Sequence, residues 1–393
     1  MTQALVIGAG PAGLMAAEEM ARAGMKVIVA EAKPSVGRKF LMAGKSGLNL
    51  TKDEPRDGLI AGFGEAANAL TPMLSEFDAR AVQDWATGLG QEIFTGSTGR
   101  VFPKAMKASP LLRAWLQRLD SLDVEIRTRW RLVDWTGDGF QFETPDGPQQ
   151  MTSKVAVLAL GGASWARLGS DGAWAKILQT RDLGVVPFAP ANVGLRLAWS
   201  PHMQKQFGAP VKGVALTAGD LTSRGECVIS ASGLEGGGIY TMTPALRAGH
   251  DLFIDLLPDW SPDRVAAKIA RLKGKKTLAN QLRSTLGLDP AKLALLMEFG
   301  RPLPGGEALA RLIKAVPIRG ATIGDMDHAI STAGGVDWAA IDETLMLRAA
   351  PGVFVAGEML DWEAPTGGYL ITGCLATGKW AGRHAAQWAT RAG

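Results

Sequence analysis

Residues 5–31, LVIGAGPAGLMAAEEMARAGMKVIVAE, leave this chain few folds to choose from. They read as a buried strand (Leu5-Val6-Ile7), a glycine turn, a helix from about Pro11 to Arg22 that stops at Gly24, and a second strand (Val27-Ile28-Val29) ending at Glu31. Gly8, Gly10 and Gly13 make a G-x-G-x-x-G run, and between a strand and a helix that run is a dinucleotide cradle. Gly8 makes the tight turn, Gly10 lets backbone approach a pyrophosphate, and Gly13 lets helix pack on strand. Pro11 and Ala12 open the helix, whose free N–H groups and partial positive charge face the phosphates. Glu31, followed by Ala32, is placed to accept hydrogen bonds from the ribose of the adenosine half. The expected fold class is therefore α/β, a Rossmann-type domain.

Composition agrees. Glycine is 49 of 393 residues, about 12% against an average near 7%, and the excess falls in turn motifs. At 47% hydrophobic the chain can build a real core. No apolar run approaches the roughly 20 residues that span a bilayer. The chain enters a strand by Ala4, which leaves no room for a signal peptide, so a cytoplasmic protein is expected. Two cysteines (Cys227, Cys374) and four histidines (His202, His250, His328, His384) have no ligand spacing, so no metal is expected.

The fingerprint alone does not separate NAD from FAD. The far end of the chain does more. Gly352-Val353-Phe354-Val355-Ala356-Gly357-Glu358 is an apolar strand ending in a Gly-acid pair, with Asp361 just beyond. Pro365-Thr366-Gly367-Gly368-Tyr369 then leads into a helix from about Thr372 to Trp388. In FAD enzymes such a strand supplies ribityl and phosphate contacts, and the helix aims its N-terminus at the flavin. Val155–Leu160 running into Gly161-Gly162 resembles the crossing strand of two-dinucleotide-fold flavoproteins.

Together with Gly37-Arg38-Lys39, Ser46-Gly47, Asn49-Leu50-Thr51, Gly99-Arg100-Val101-Phe102-Pro103 and Gly334-Gly335-Val336, these motifs resemble the BaiN/YhiN-like family of bacterial FAD-dependent oxidoreductases, over nearly the whole chain. The resemblance implies FAD and a two-dinucleotide-binding-type FAD/NAD(P) domain. It also places Lys45, Ser46 and Asn49 in a loop beside the isoalloxazine, with Arg100 in a comparable role. Two departures mark a divergent branch. The family's Gly-x-Gly-Arg-Cys-Asn loop is here Gly44-Lys45-Ser46-Gly47-Leu48-Asn49, and Leu370-Ile371-Thr372 replaces Asn-x-Gln after Tyr369. The family's substrates are therefore not carried over.

The remaining site expectations follow. Arg38 and Lys39 neutralise the pyrophosphate or adenosine side, and Glu358 and Asp361 bind ribityl hydroxyls. Gly367 and Gly368 let backbone approach the ring, and Tyr369 either shapes the substrate face or packs. Leu370, Ile371 and Gly373 sit at the flavin-facing helix start, while Cys374 is a small buried residue there. No catalytic acid or base stands out.

Texture divides the chain into 1–190, an insertion at 191–335, and a closing part at 336–393 that returns to the first fold. The insertion is β-rich at 191–260 and 317–335 and helical at 261–316. That helical stretch holds eleven basic and four acidic residues, a net of +7 against +4 for the whole chain. Such an excess is either a solvated face or an attractor of NADPH, an acidic substrate or RNA. The expected function is hydride exchange between flavin N5 and an unidentified small organic substrate. No second fingerprint follows a strand, so NAD(P)H is expected only as a transient donor over the flavin. The alternatives are a flavoenzyme that modifies tRNA, with nucleic-acid binding otherwise weak, and a non-enzymatic flavin-binding sensor or scaffold.

Overall fold

The computed structural model describes residues 3–44, 47–137, 139–272 and 277–391. Ser46 and Lys45, expected beside the flavin, and the lysines Lys273, Lys275 and Lys276 lie outside the described residues.

The chain forms two compact units, Met1–Ala189 with Ser331–Gly393, and Pro190–Ile330. The first is built on β1 (Gln3–Ile7), α1 (Pro11–Arg22), β2 (Lys26–Glu31), α2 (Arg38–Ala43), β3 (Glu125–Thr128), β4 (Val155–Leu158), β5 (Val353–Val355) and α3 (Tyr369–Arg391). The strands make one parallel sheet in the order β5-β4-β1-β2-β3. Ala4 through Ile7 and all of β4 are buried, as a parallel sheet covered on both faces requires. Three antiparallel strands, Arg131–Thr136, Gly139–Thr144 and Gly147–Met151, form the separate small sheet that the hairpin signal at Thr144-Pro145-Asp146-Gly147 predicts.

The chain returns to the first unit at Ser331, earlier than the expected 336. The reason is local packing. A Cβ on Gly334 would sit 2.3 Å from the Pro187 carbonyl, and one on Gly335 would sit 2.6 Å from that of Met359.

Helix α3 begins at Tyr369 rather than near Thr372. Gly367 and Gly368 hold φ of +114° and +107°, which ends the loop directly before Tyr369. The Thr372 amide then donates to the Gly368 carbonyl at 3.0 Å, inside the first turn. Further along, α3 lies on α1 with almost no side chain between them. Cβ atoms on Gly378 and Gly382 would stand 2.3 and 2.6 Å from the carbonyls of Ala12 and Ala16.

Among the described residues the second unit holds a seven-stranded sheet and six α-helices, the two short ones Gly237–Thr241 and Thr243–Arg247 followed by Pro262–Ile269, Leu278–Leu286, Pro290–Gly300 and Gly306–Lys314. Ser261, Thr277 and Asp289 cap the helices that begin at Pro262, Leu278 and Pro290 through their side-chain oxygens, with a proline at the first helical position of the first and last of these. Val214, Leu216, Ile254, Leu282, Leu295 and Ile313 are core members.

Candidate cofactor site

A cleft opens at the carboxyl ends of β1, β2, β4 and β5, where an open α/β sheet takes its ligands. It gathers Gly8, Gly10, Pro11, Ala12, Glu31, Ala32, Arg38, Lys39, Gly161, Gly357 and Glu358. The three fingerprint glycines do different work. Gly8 has φ +106°, and a Cβ there would lie 2.2 Å from the Ala159 carbonyl. A Cβ on Gly13 would lie 1.9 Å from the Gly8 carbonyl, so the helix meets the strand backbone to backbone. Gly10 is unlike both. Its φ and ψ, −82° and −179°, suit any residue, and nothing lies within 4 Å of a Cβ placed on it. The protein itself makes no demand for glycine there, so the demand falls to whatever fills the cleft.

No side chain caps α1 and its first turn holds no acid, which leaves its amide groups and positive dipole end open. The Glu31 carboxylate accepts from the amides of Ala9 at 3.0 Å and Lys33 at 2.8 Å. Burial raises its pKa, and those two bonds oppose the shift. Spare lone pairs remain for a ribose hydroxyl. Two polar atoms in the cleft wall, Arg38 Nε and Ser170 Oγ, are buried with no partner among the described residues. Uncapped amides, a fixed acid, an unfilled glycine and two orphaned polar atoms fit the ADP half of a dinucleotide.

Lys39 differs from expectation. Its Nζ donates to Glu358 Oε2 at 2.6 Å and to Ser164 Oγ at 2.8 Å. Glu358 Oε1 accepts from the Thr332 amide at 3.1 Å, and Thr332 Oγ1 accepts from the amides of Ala163 and Ser164. Glu358 is only 9% exposed, and a buried carboxylate needs a counter-charge. Lys39 supplies it, so its charge is committed to Glu358. Cys374 also lines the cleft, and burial, then the nearby Glu358, push its thiol up to about 12. By accessibility it is only half-buried, not the small buried residue expected.

Other expected residues lie off this cleft. Gly162 is buried where a Cβ would meet Thr332 Oγ1 at 2.6 Å. Asp361, its carboxyl raised by burial and by Asp337, joins its amide to the Val336 carbonyl. Asn49 has a buried Oδ1 with no partner among the described residues. Arg100 is exposed, near Gly367. Leu370 and Ile371 pack on the core. Two glycines answer to protein rather than to a ring. A Cβ on Gly368 would strike the Thr51 backbone at 2.4 Å, and one on Gly373 would meet Phe63 at 2.9 Å and Trp362 at 3.0 Å.

Tyr369 belongs to a second cluster. Its hydroxyl donates to Glu54 and accepts from Lys52 Nζ at 3.2 Å, while Lys52 pairs with Glu54 at 2.7 Å. Burial, then Glu54, push the phenol up to about 12. Sequence reasoning had no means of joining residues 52, 54 and 369. It also missed Trp130, Leu132, Leu168 and Ser170 in the cleft wall. For Ser170 there was a signal, the Gly169-Ser170-Asp171-Gly172 run, a polar glycine loop after a buried strand.

The chain matches the HI0933-like protein Rossmann domain over residues 2–384. It is 28% identical to the 3-dehydro-bile acid delta(4,6)-reductase of Clostridium scindens, over 97% of this chain and 98% of that one. It is 23% identical to the ribosomal RNA dihydrouridine synthase of Escherichia coli, over 93% of each. The open conformation of a flavocytochrome c3 fumarate reductase shares the fold, with a TM-score of 0.55 at 19% identity over 99% of this chain and 78% of that one. No helix among the described residues is long and apolar enough to cross a membrane. The chain belongs to the HI0933-like Rossmann-domain family and is an FAD-dependent oxidoreductase.

Proposed function

We propose that this oxidoreductase reduces a conjugated carbon–carbon double bond in a small cyclic ketone, with a nicotinamide nucleotide as transient electron donor. The observation that carries the reading is end-to-end similarity to a reductase whose name specifies that chemistry. Bound FAD supplies the hydride donor and acceptor at N5. The chain's residues do the rest. The α1 amides and Arg38 would hold its pyrophosphate, and Glu31 would hold its ribose. The Lys39–Glu358 pair fixes the segments at Ser164 and Thr332 around the cleft. Reduction of a double bond also consumes a proton. The Tyr369 hydroxyl can provide one, with Glu54 and the partly exposed Lys52 linking it to solvent.

The test is an anaerobic half-reaction. NADH or NADPH should bleach the flavin's visible band, and a 3-oxo-Δ4 steroid should restore it as the steroid gains two hydrogens. Tyr369→Phe should slow the second step and leave the first unchanged. Steroid that comes back unreduced from a flavin reduced by the nucleotide would refute the substrate class.

Two observations favour a second reading, an RNA substrate: a relative at 23% identity is named as a ribosomal RNA enzyme, and residues 261–316 carry the basic excess. RNA affinity that falls steeply with salt would support it.

A further inference from the structure

We propose that the open face of the three-stranded sheet formed by Thr51–Lys52, Arg100–Pro103 and Ile93–Thr95 is the substrate subsite. The Phe94 and Phe102 rings would carry a flat apolar ring system, and Arg100 would donate to an oxygen on its edge. The inference rests on the cyclic-ketone reading of the reaction and names where such a substrate lies.

The strand register brings the residues together. Lys52 stands opposite Arg100 and Phe94 opposite Phe102 across antiparallel strands, while Arg100 and Phe102 are two positions apart on one strand. All four side chains therefore leave the same face. The other face carries Thr51 and Val101, both fully buried. A sheet covered on one side ordinarily turns polar residues to water on the other. Here two aromatic rings stand in the open instead. Phe94 is 42% exposed and stacks on Phe102 with 5.5 Å between ring centroids and 22° between planes. Two glycine segments expected beside the flavin ring border this face. A Cβ on Gly47, in the loop of Asn49, would lie 3.8 Å from the Phe102 ring, and one on Gly367 would lie 3.3 Å from Arg100 Nε.

Charge decides what the face can take. Lys52 is paired with Glu54 at 2.7 Å, and Lys104 is paired with Glu92. Arg100 is exposed and has no side-chain hydrogen bond or ion pair among the described residues. The face thus offers one uncommitted cation at the end of an apolar shelf. The two phosphates of a dinucleotide would find too little positive charge there and would meet Glu54. One carbonyl or carboxylate oxygen matches the guanidinium fork, and a flat ring system matches the aromatic pair. Lys52, the cross-strand neighbour of Arg100, also donates to the Tyr369 hydroxyl at 3.2 Å. The oxygen held by Arg100 and the proton source at Tyr369 would then lie at the same end of the shelf.

The experiment uses the full-length, FAD-loaded chain, oxidised and without a reductant, titrated by calorimetry with 4-androstene-3,17-dione and with 2-naphthoate. One probe offers a ketone oxygen on a flat ring system and the other a carboxylate. Both should bind. Arg100→Gln should weaken both at least about tenfold, and Arg100→Lys should recover only part of the loss, because it keeps the charge without the fork. Phe94→Ala should weaken both by about fivefold through lost apolar contact. Arg100 and Phe94 are exposed, so melting temperatures should stay at the parental value. Arg311→Gln, at an exposed position in the second unit, is the control and should bind like the parent.

Parental affinity in both Arg100→Gln and Phe94→Ala, or a parent that binds neither probe, would overturn the subsite. So would NADH that displaces 2-naphthoate and itself depends on Arg100, since the face would then belong to the electron donor. Failure of the ketone reading looks different: the steroid is neither bound nor reduced, while 2-naphthoate binds the parent and is lost in Arg100→Gln.

Discussion

Gly10 and Gly13 sit three residues apart in one motif, and substituting each with alanine should separate cofactor binding from folding. At position 10 a Cβ meets nothing within 4 Å, and the backbone angles are those of an ordinary extended residue. Alanine restricts the unfolded chain, worth about 0.4–1 kcal/mol of stability. It is also a poorer helix N-cap than glycine, by roughly 0.5–1 kcal/mol. The two effects nearly cancel, so the FAD-free Gly10→Ala protein should unfold in urea within about 0.5 kcal/mol of the parent. On the dinucleotide reading of the cleft that Gly10 lines, the added methyl would take space a pyrophosphate needs. FAD affinity, read from quenching of flavin fluorescence, should fall at least about tenfold, or 1.4 kcal/mol. At position 13 the Cβ would stand 1.9 Å from the Gly8 carbonyl, and backbone cannot step aside as a side-chain tip can. Overpacking of this kind costs about 1–3 kcal/mol, so Gly13→Ala should melt several degrees lower even without FAD. A Gly10→Ala protein that keeps parental FAD affinity, or that loses as much stability as Gly13→Ala, would refute the assignment of Gly10 to the ligand.

The Lys39–Glu358 pair has side-chain exposures of 27% and 10%, so Lys39→Met should cost about 2 kcal/mol, less than the 3–5 of a fully buried pair. Adding Glu358→Gln should recover part of that loss, and strictly additive urea melts would show that the pair is uncoupled. Gly373→Ala should lower the melting temperature by crowding Phe63 and Trp362, at about 1–2 kcal/mol, and leave the flavin's visible spectrum unchanged; a shifted spectrum at full stability would return Gly373 to the flavin. The chain has two tyrosines, Tyr369 with its pKa raised to about 12 and Tyr240 also raised, so FAD-free protein should show little phenolate absorbance at pH 10. A phenol held neutral in the folded state binds its proton more tightly than the unfolded chain does. Its contribution is complete below pH 10 and is lost as pH rises from 10 through 12, so Tyr369→Phe should flatten the loss of stability across that window.

What sequence could give was local. Strand, turn, helix and acid at residues 5–31 lie within one supersecondary unit, so their spacing alone places Gly8, Gly10 and Glu31 at one cleft. The same holds for the hairpin at Thr144–Gly147 and the helix caps at Ser261 and Asp289. Lys39 and Glu358 are 319 residues apart, and only the parallel stacking of β1, β4 and β5 brings their segments together. Before that stacking was known, two charged residues near a phosphate site read as two separate ligand contacts. Gly368 and Gly373 expose a different limit. Sequence registers that a side chain is absent and says nothing of what occupies the space, and at both positions the occupant is protein.

One residue joins the two halves of the first unit. Ala12 lines the cleft, yet it is also where Gly378 of α3 makes its closest approach, 2.3 Å from a would-be Cβ to the Ala12 carbonyl. A Cβ on Gly357, at the end of β5, would lie 2.6 Å from the Ala12 methyl. The helix end that faces the phosphates is therefore held against the last helix and against the last strand of the sheet. Its amides cannot turn away without opening a seam packed to backbone contact, which interiors at crystal-like density resist. A cleft held in this way is formed before its ligand arrives, and binding then spends little on ordering the chain. Glu18 secures the other end of α1: 3% exposed, it accepts hydrogen bonds from Arg22, from Trp115 Nε1 at 2.7 Å and from Arg118. Both ends of the cofactor helix are thus fixed by residues more than ninety positions away in sequence, Trp115 at one end and Gly378 at the other. That is why the fingerprint was legible in the sequence while the rigidity that makes it a binding site was not.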